Sequence, residues 1–238
     1  VAIGKLALLN SGGYARGEFP LDRALSISGP NNTGKSTAIN ALQFPFLCDR
    51  RLMSFPASDS ATLEFYFPRE NSFVVSEART EFGTFVIGAA GLGNAQGNHY
   101  ALFAYQKELD IEGDYLEQHP DSNNLANVRT LKDLTRHLAA QDVWLKKMSP
   151  KELLDVLAGV KRLNNTSMVG VFRMEDQSFL PLFVEIFKNL LQMEDLDMEK
   201  MKNILLKALL PNWEATSKNI LRDYGRFDNE IKVEKNKL

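Results

Sequence analysis

The chain is poor in the residues that cross-link or metallate a fold. Its 238 residues include one cysteine, Cys48, and three histidines, His99, His119 and His137. One thiol excludes an internal disulfide, and histidines without ligand spacing exclude a cysteine–histidine zinc site. Cys48 lies in an apolar run, as a small buried side chain rather than a reactive thiol would, and sparse cysteine suits a reducing cytoplasm. Charge of one sign is lacking as well. With 28 Lys and Arg against 30 Asp and Glu, the formal charge is -2, so any nucleic-acid surface must be a local patch. No apolar run approaches a membrane span, and the opening Val1-Ala2-Ile3-Gly4-Lys5-Leu6 lacks the layout of a secretory signal.

What is present is an octet, Gly29-Pro30-Asn31-Asn32-Thr33-Gly34-Lys35-Ser36, that fulfils G-x-x-x-x-G-K-[ST] in full. At ordinary residue usage such an octet arises by chance in about one percent of chains of this length. Its context decides for function over accident: Leu25-Ser26-Ile27-Ser28 reads as a short buried strand, and Thr37 to Gln43 as the helix that leaves the loop. The glycines let successive N–H groups turn onto phosphates at the positive end of that helix. Lys35 supplies a mobile cation for the β- and γ-phosphates and is the candidate catalytic residue, while the Ser36 hydroxyl is the candidate Mg²⁺ ligand. Gly29, Asn31, Asn32, Thr33, Gly34, Lys35, Ser36 and Thr37 thus form the candidate ATP site. Pro30 removes one N–H at a position the cradle does not use.

Around the octet, the first third of the chain reads as strand-rich and the last as helix-rich. Lys5–Leu9 and Gly17–Leu21 are predicted strands joined at Ser11-Gly12-Gly13. Further strands are predicted at Ala61–Phe67, Ser72–Arg79, Thr84–Ala90 and Tyr100–Tyr105, forming a half-buried antiparallel sheet, with a glycine-rich loop over Gly88–Asn98. Helices are predicted at Leu131–Ala140, Pro150–Gly159, Leu180–Gln192 and Met198–Leu210. After Pro211, positions Trp213, Ser217, Ile220, Tyr224, Phe227, Ile231, Glu234 and Leu238 fall at heptad spacing, and the charged run that follows meets no stop signal. The expectation is the root of a coiled coil that continues past Leu238. Trp144, Phe172, Phe183 and Phe187 read as core. Arg50-Arg51, Lys146-Lys147 and Lys161-Arg162 are candidate phosphate contacts for DNA, with solvated helix faces as the plainer account.

One component of nucleotide turnover is missing. Hydrolysis needs an acidic residue closing an apolar strand, to hold Mg²⁺ and activate water, and no apolar run of four or more leads into Asp-Asp or Asp-Glu. Val74-Val75-Ser76-Glu77 and Ile111-Glu112 read as ordinary strand and turn carboxylates.

The order of strand, aromatic-Ala-Arg turn, strand, phosphate loop, antiparallel sheet, helices and emerging coiled coil resembles the N-terminal half of SMC-type ATPase heads, most closely the MukB, MksB and JetC (Wadjet) group. The resemblance rests on Gly13-Tyr14-Ala15-Arg16 with Phe19, Leu21 and Asp22, on Gly29 to Thr37 with Ala41-Leu42-Gln43-Phe44, and on Leu206-Lys207-Ala208-Leu209-Leu210-Pro211. It implies an α/β fold, an ABC-type P-loop NTPase half head with mixed and antiparallel sheet, followed by the root of a coiled coil. Residues 1–195 would be the N-terminal lobe of the head, and 196–238 a helical neck and the start of the arm. It further implies that Arg16 lies near the nucleotide phosphates, that Gln177 is a candidate metal contact, and that the acidic strand and signature helix belong to a C-terminal lobe of the same parental chain. Two completed heads would then dimerise on ATP and Mg²⁺ and hydrolyse it to move DNA, with kleisin and KITE subunits, and in a Wadjet setting a nuclease subunit, in the nucleoid. Such a fragment would be inactive in isolation. A RecF- or RecN-type repair head and a self-sufficient P-loop kinase or GTPase remain the alternatives.

Overall fold

The computed structural model describes residues 2–23, 34–93, 99–117, 127–164, 167–171 and 184. By its contacts the chain divides into two units, Val1–Gln177 and Ser178–Leu238, and all of the secondary structure set out below belongs to the first. The predicted strand at 25–28, the helix at 180–192 apart from Val184, the helix at 198–210, the heptad stretch and the expected boundary near 195 lie outside the described residues, as do Phe172, Phe183 and Phe187.

A six-stranded antiparallel sheet organises the first unit, in the order β2-β1-β3-β4-β5-β8. Strands β1 (Ala2–Ser11) and β2 (Tyr14–Pro20) form a hairpin through Gly12 and Gly13, both at positive φ, and β3 (Phe73–Thr80), β4 (Gly83–Gly91) and β5 (Tyr100–Gln106) follow as an antiparallel run. Strand β8 (Lys146–Met148) pairs with β5 at the far edge. These strands match the expected ones at β1 to β5, and the three-residue β8 has no sequence signal of its own. The sheet is not half-buried as predicted: Phe73 to Ala78 and Phe85 to Gly91 are buried at every position, because both faces are covered.

One face is covered by helix α4 (Leu131–Ala139) and a single π-helical turn, Ile111–Tyr115, which hold Leu131, Leu134, Leu138, Ile111 and Tyr115 against Ala7, Leu9, Phe73, Val75, Val86, Phe103 and Tyr105. A two-residue ribbon of β6 (Leu116–Glu117) and β7 (Asn127–Val128) leads into α4. The hydroxyls of Tyr105 and Tyr115 satisfy one another at 3.0 Å inside this cluster. On the opposite face, helix α2 (Gln43–Leu47) packs on β3 and β4, and helix α5 (Pro150–Leu157) packs on β5. Helix α5 starts at a full capping box, in which Ser149 accepts from the Glu152 N–H and Glu152 accepts from the Ser149 N–H, with Pro150 at the first helical position.

Two predictions fail here for visible reasons. The segment predicted as strand Ala61–Phe67 is helix α3 (Asp59–Tyr66). The alternation of Leu63, Phe65 and Phe67 suggested a strand, yet the buried pair is Thr62 and Tyr66, spaced by four, and Asp59 favours a helix start in the first turn. The glycine-rich segment is in part strand, since β4 runs through Gly88 to Gly91. Gly91 is there for close approach: a Cβ at this position would overlap the backbone carbonyl oxygen of Arg69. Gly91→Ala is therefore expected to destabilise the chain by about 1–3 kcal/mol through overpacking, read as a lowered midpoint in chemical denaturation. Cys48 is buried, as expected, and burial raises its thiol pKa well above the ordinary value.

Candidate nucleotide site

Of the octet, the structure describes Gly34, Lys35 and Ser36; Gly29, Pro30, Asn31, Asn32 and Thr33 lie outside the described residues, as does Gln177. Gly34 has φ 83° and ψ 6°, a left-handed turn that hands the chain into helix α1 (Lys35–Ala41). The helix opens with the Ala38 N–H donating to the Gly34 carbonyl at 3.0 Å. No acidic residue occupies its first turn, so no carboxylate of that turn neutralises the positive end. Lys35 and Thr37 are half-buried and Ser36 is exposed.

Two neighbouring elements fix this first turn. From the β1–β2 hairpin, the Tyr14 hydroxyl donates to the Gly34 carbonyl at 3.1 Å, and its oxygen stands 2.7 Å from where a Gly34 Cβ would be. Gly34 thus serves twice, for its positive φ and for the space its missing side chain leaves to Tyr14. The hairpin turn also abuts Thr37, because a Cβ on Gly12 would lie 2.7 Å from the Thr37 methyl. From the other side, the Tyr66 hydroxyl of α3 donates to the Thr37 carbonyl at 2.9 Å. Tyr66 keeps that proton, since burial pushes its pKa above the usual phenol range.

Beside Ser36, Thr37 and Asn40 opens a cleft of about 200 Å³, walled by Phe55, Pro56, Ala57, Ala61, Thr62, Phe65 and Tyr66. Phe65 is 46% exposed at its mouth, and Phe55 is braced from behind by the rings of Phe44 and Tyr66 and by the Arg50 guanidinium at 4.9 Å. Sequence reasoning missed this wall because it placed residues 61–67 in a strand. The spacing of Thr62 and Tyr66 was the available signal.

Arg16 sits on β2 with its guanidinium held by carboxylates, Glu18 at 2.6 Å and Glu112 of the π turn at 3.2 Å. The hydrogen bond to Glu18, then that to Glu112 and their charges, raise its pKa further. Of the paired cations, Arg50 bonds Asp59, and Arg51 bonds Asp49 at 2.6 Å. Glu77 is structural, as expected: it is 2% exposed and takes bonds from Arg79 and from the Leu109 N–H. No cluster of metal-ligating side chains occurs among the described residues. Among them, too, no helix is long and apolar enough to cross a membrane. Trp144 overturns its assignment to the core, being 74% exposed.

Comparison with family models supplies the relation that the described geometry does not give by itself. Residues 1–224 match the family described as "Putative Mks condensin complex protein MksF", and the chain belongs to that family. No curated protein matches it.

Proposed function

We propose that this chain is the ATP-binding half of an ATPase head in a condensin-type complex. The observation that carries the reading is the left-handed Gly34 feeding Lys35 and Ser36 into an uncapped helix start that Tyr14 and Tyr66 clamp from both sides. Such a rigid, electropositive turn suits triphosphate, with Lys35 directed to the β- and γ-phosphates and the exposed Ser36 hydroxyl to Mg²⁺. Membership of a condensin-complex family favours this reading over a repair-type head or a self-sufficient kinase or GTPase. Finer assignments follow from the resemblance to MukB, MksB and JetC heads: a C-terminal lobe that supplies the acidic strand and signature helix, ATP-driven pairing with a second head, kleisin and KITE partners, DNA as the object moved, and a nuclease subunit where the task is plasmid defence.

The cleft beside Thr37 suits the base, which Phe65 would cover. Phe65→Ala is expected to raise the Kd for ATP about tenfold, in the range that loss of an aromatic stacking surface produces, while leaving the Kd for inorganic triphosphate unchanged in a competition titration. The half-site reading is tested by steady-state hydrolysis. The chain alone is expected to be inactive, and turnover is expected to appear once the C-terminal lobe of its parental protein is added. Robust hydrolysis by the isolated chain would refute it.

A further inference from the structure

The tract Val143–Lys151 carries three lysines, one tryptophan and no carboxylate, in a chain of net charge -2. Val143 and Leu145 pack against the α4 cluster, and alternation along an extended backbone therefore sends Trp144 and Lys146 to the opposite side. Trp144 is left 74% exposed at the approach to edge strand β8, whose Lys146 and Lys147 are also exposed. The Lys146 ammonium bonds the Leu163 carbonyl at 3.1 Å, and Lys161 reaches Asp155 at 3.3 Å. Neither Lys147 nor Lys151 has an ion-pair partner among the described residues. Two carboxylates border the tract, Asp142 before it and Glu152 after it, and Glu152 is committed to the cap at Ser149.

Lysines on a sheet edge have a protective role, discouraging pairing with another chain. That accounts for Lys146 and Lys147 and leaves Trp144 without a reason, since a protected edge has no use for an exposed indole. Protein interfaces enrich tryptophan but deplete lysine. The combination of a bare aromatic face and unneutralised ammonium groups matches instead the surfaces that bind unpaired nucleic acid, where bases stack on aromatics and lysines follow the backbone. The spacing fits as well. Positions 144 and 146 of an extended chain stand about 6.6 Å apart, close to two base-stacking steps.

We propose that Trp144 and Lys146 on one face of the β8 edge, with Lys147 on the other face of the same edge, form a contact site for single-stranded nucleic acid that runs along the edge, in which the indole stacks on an unpaired base and the lysines meet flanking phosphates. The site is separate from the octet and does not depend on nucleotide.

The test is fluorescence anisotropy of the 238-residue chain with a labelled thymidine 15-mer and with a 20-base-pair duplex, each at two salt concentrations. Trp144→Ala is expected to weaken the 15-mer about tenfold and to leave the duplex unchanged, with an unaltered melting temperature as the control for folding. The double change Lys146→Ala and Lys147→Ala is expected to weaken both and to flatten the salt dependence for the 15-mer by about 1.4, from roughly 0.7 per phosphate contact. Absence of 15-mer binding by the unsubstituted chain would overturn the proposal. So would an unchanged 15-mer affinity in Trp144→Ala, whether the lysines then bind duplex alone or the tryptophan proves to matter for assembly with another protein subunit.

Discussion

Replacing Lys35 with alanine is expected to raise the Kd for Mg²⁺-ATP by about 30- to 1000-fold and to abolish ATP-dependent association of completed heads. Lys35 is the first residue of α1, directly after the left-handed Gly34, so it stands at the positive end of that helix. Hydrogen bonds between ionised groups contribute more than neutral ones, and removing one member of a desolvated charge pair costs about 2–4 kcal/mol. At 1.4 kcal/mol per tenfold, that loss gives the stated range. The turn itself is set by Gly34, Tyr14 and Tyr66, none of which is touched, so the variant should fold with an unchanged melting temperature. Calorimetric titration of both proteins in the presence of the C-terminal lobe reads the difference. ATP-driven association at unsubstituted strength would remove Lys35 from the assigned role. Ser36→Ala complements it, with an expected loss that depends on Mg²⁺ and disappears when the metal is chelated.

The second large effect concerns Phe44. This ring is fully buried in α2, with its centroid 4.9 to 5.5 Å from those of Phe67, Tyr66, Phe55 and Tyr100. It therefore joins α2 to α3, to the 54–57 segment and to the end of β5. Phe44→Ala should cost about 3–5 kcal/mol, combining lost transfer energy with the cavity left behind. For a chain of this size each kcal/mol lowers Tm by about 2–4 °C, so a fall of roughly 6–20 °C is expected in a thermal melt followed by circular dichroism. Phe44→Leu should lose much less. The damage should also reach the cleft beside Thr37, because Phe55 and Tyr66 lean on this ring and Tyr66 holds Thr37. A Tm within 2 °C of the unsubstituted chain would show that the aromatic cluster is not a keystone.

Much of this architecture was legible in the sequence, for reasons that differ by element. The hairpin was readable because Ser11-Gly12-Gly13 interrupts two apolar runs, and Gly12 and Gly13 do take the positive φ that a tight turn requires. Helices α4 and α5 lie where they are predicted, and the structure shows what fixes their starts: the side chains of Thr130 and Ser149 accept from the Asp133 and Glu152 N–H groups three residues on. Helix α3 was hidden because its outward Phe65 and Leu63 alternate as a strand would, and only packing against Gly12 and Thr37 reveals which face is buried. Strand β8 was hidden because it exists only as a partner of β5: three residues with two lysines have no strand preference of their own. The misplacement of Trp144 has the same origin. Composition puts tryptophan inside, whereas Val143 and Leu145, by taking the inward positions, turn it out.

The octet was the most legible feature, yet its surroundings were not. Nothing in the sequence marked Tyr14 as the group that fills the space above Gly34, or Tyr66 as the donor to Thr37, because both bonds join segments 20 or more residues apart. Arg16 shows the converse. Position alone directed it toward phosphates, but Glu18 and Glu112 offer it two carboxylates, and a guanidinium takes such partners bidentately where geometry allows.

The claim on which the account rests is that triphosphate is held at Gly34, Lys35 and Ser36 of this chain while the groups that activate water come from elsewhere. A crystal structure of the chain with the proposed C-terminal lobe, Mg²⁺ and a nonhydrolysable ATP analogue tests it most directly. The account predicts the β- and γ-phosphate oxygens within about 3 Å of the Lys35 ammonium and the metal on the Ser36 hydroxyl, with an acidic partner contributed by the other lobe. An analogue bound away from α1, or a vacant turn at Gly34 with the second lobe in place, would contradict it.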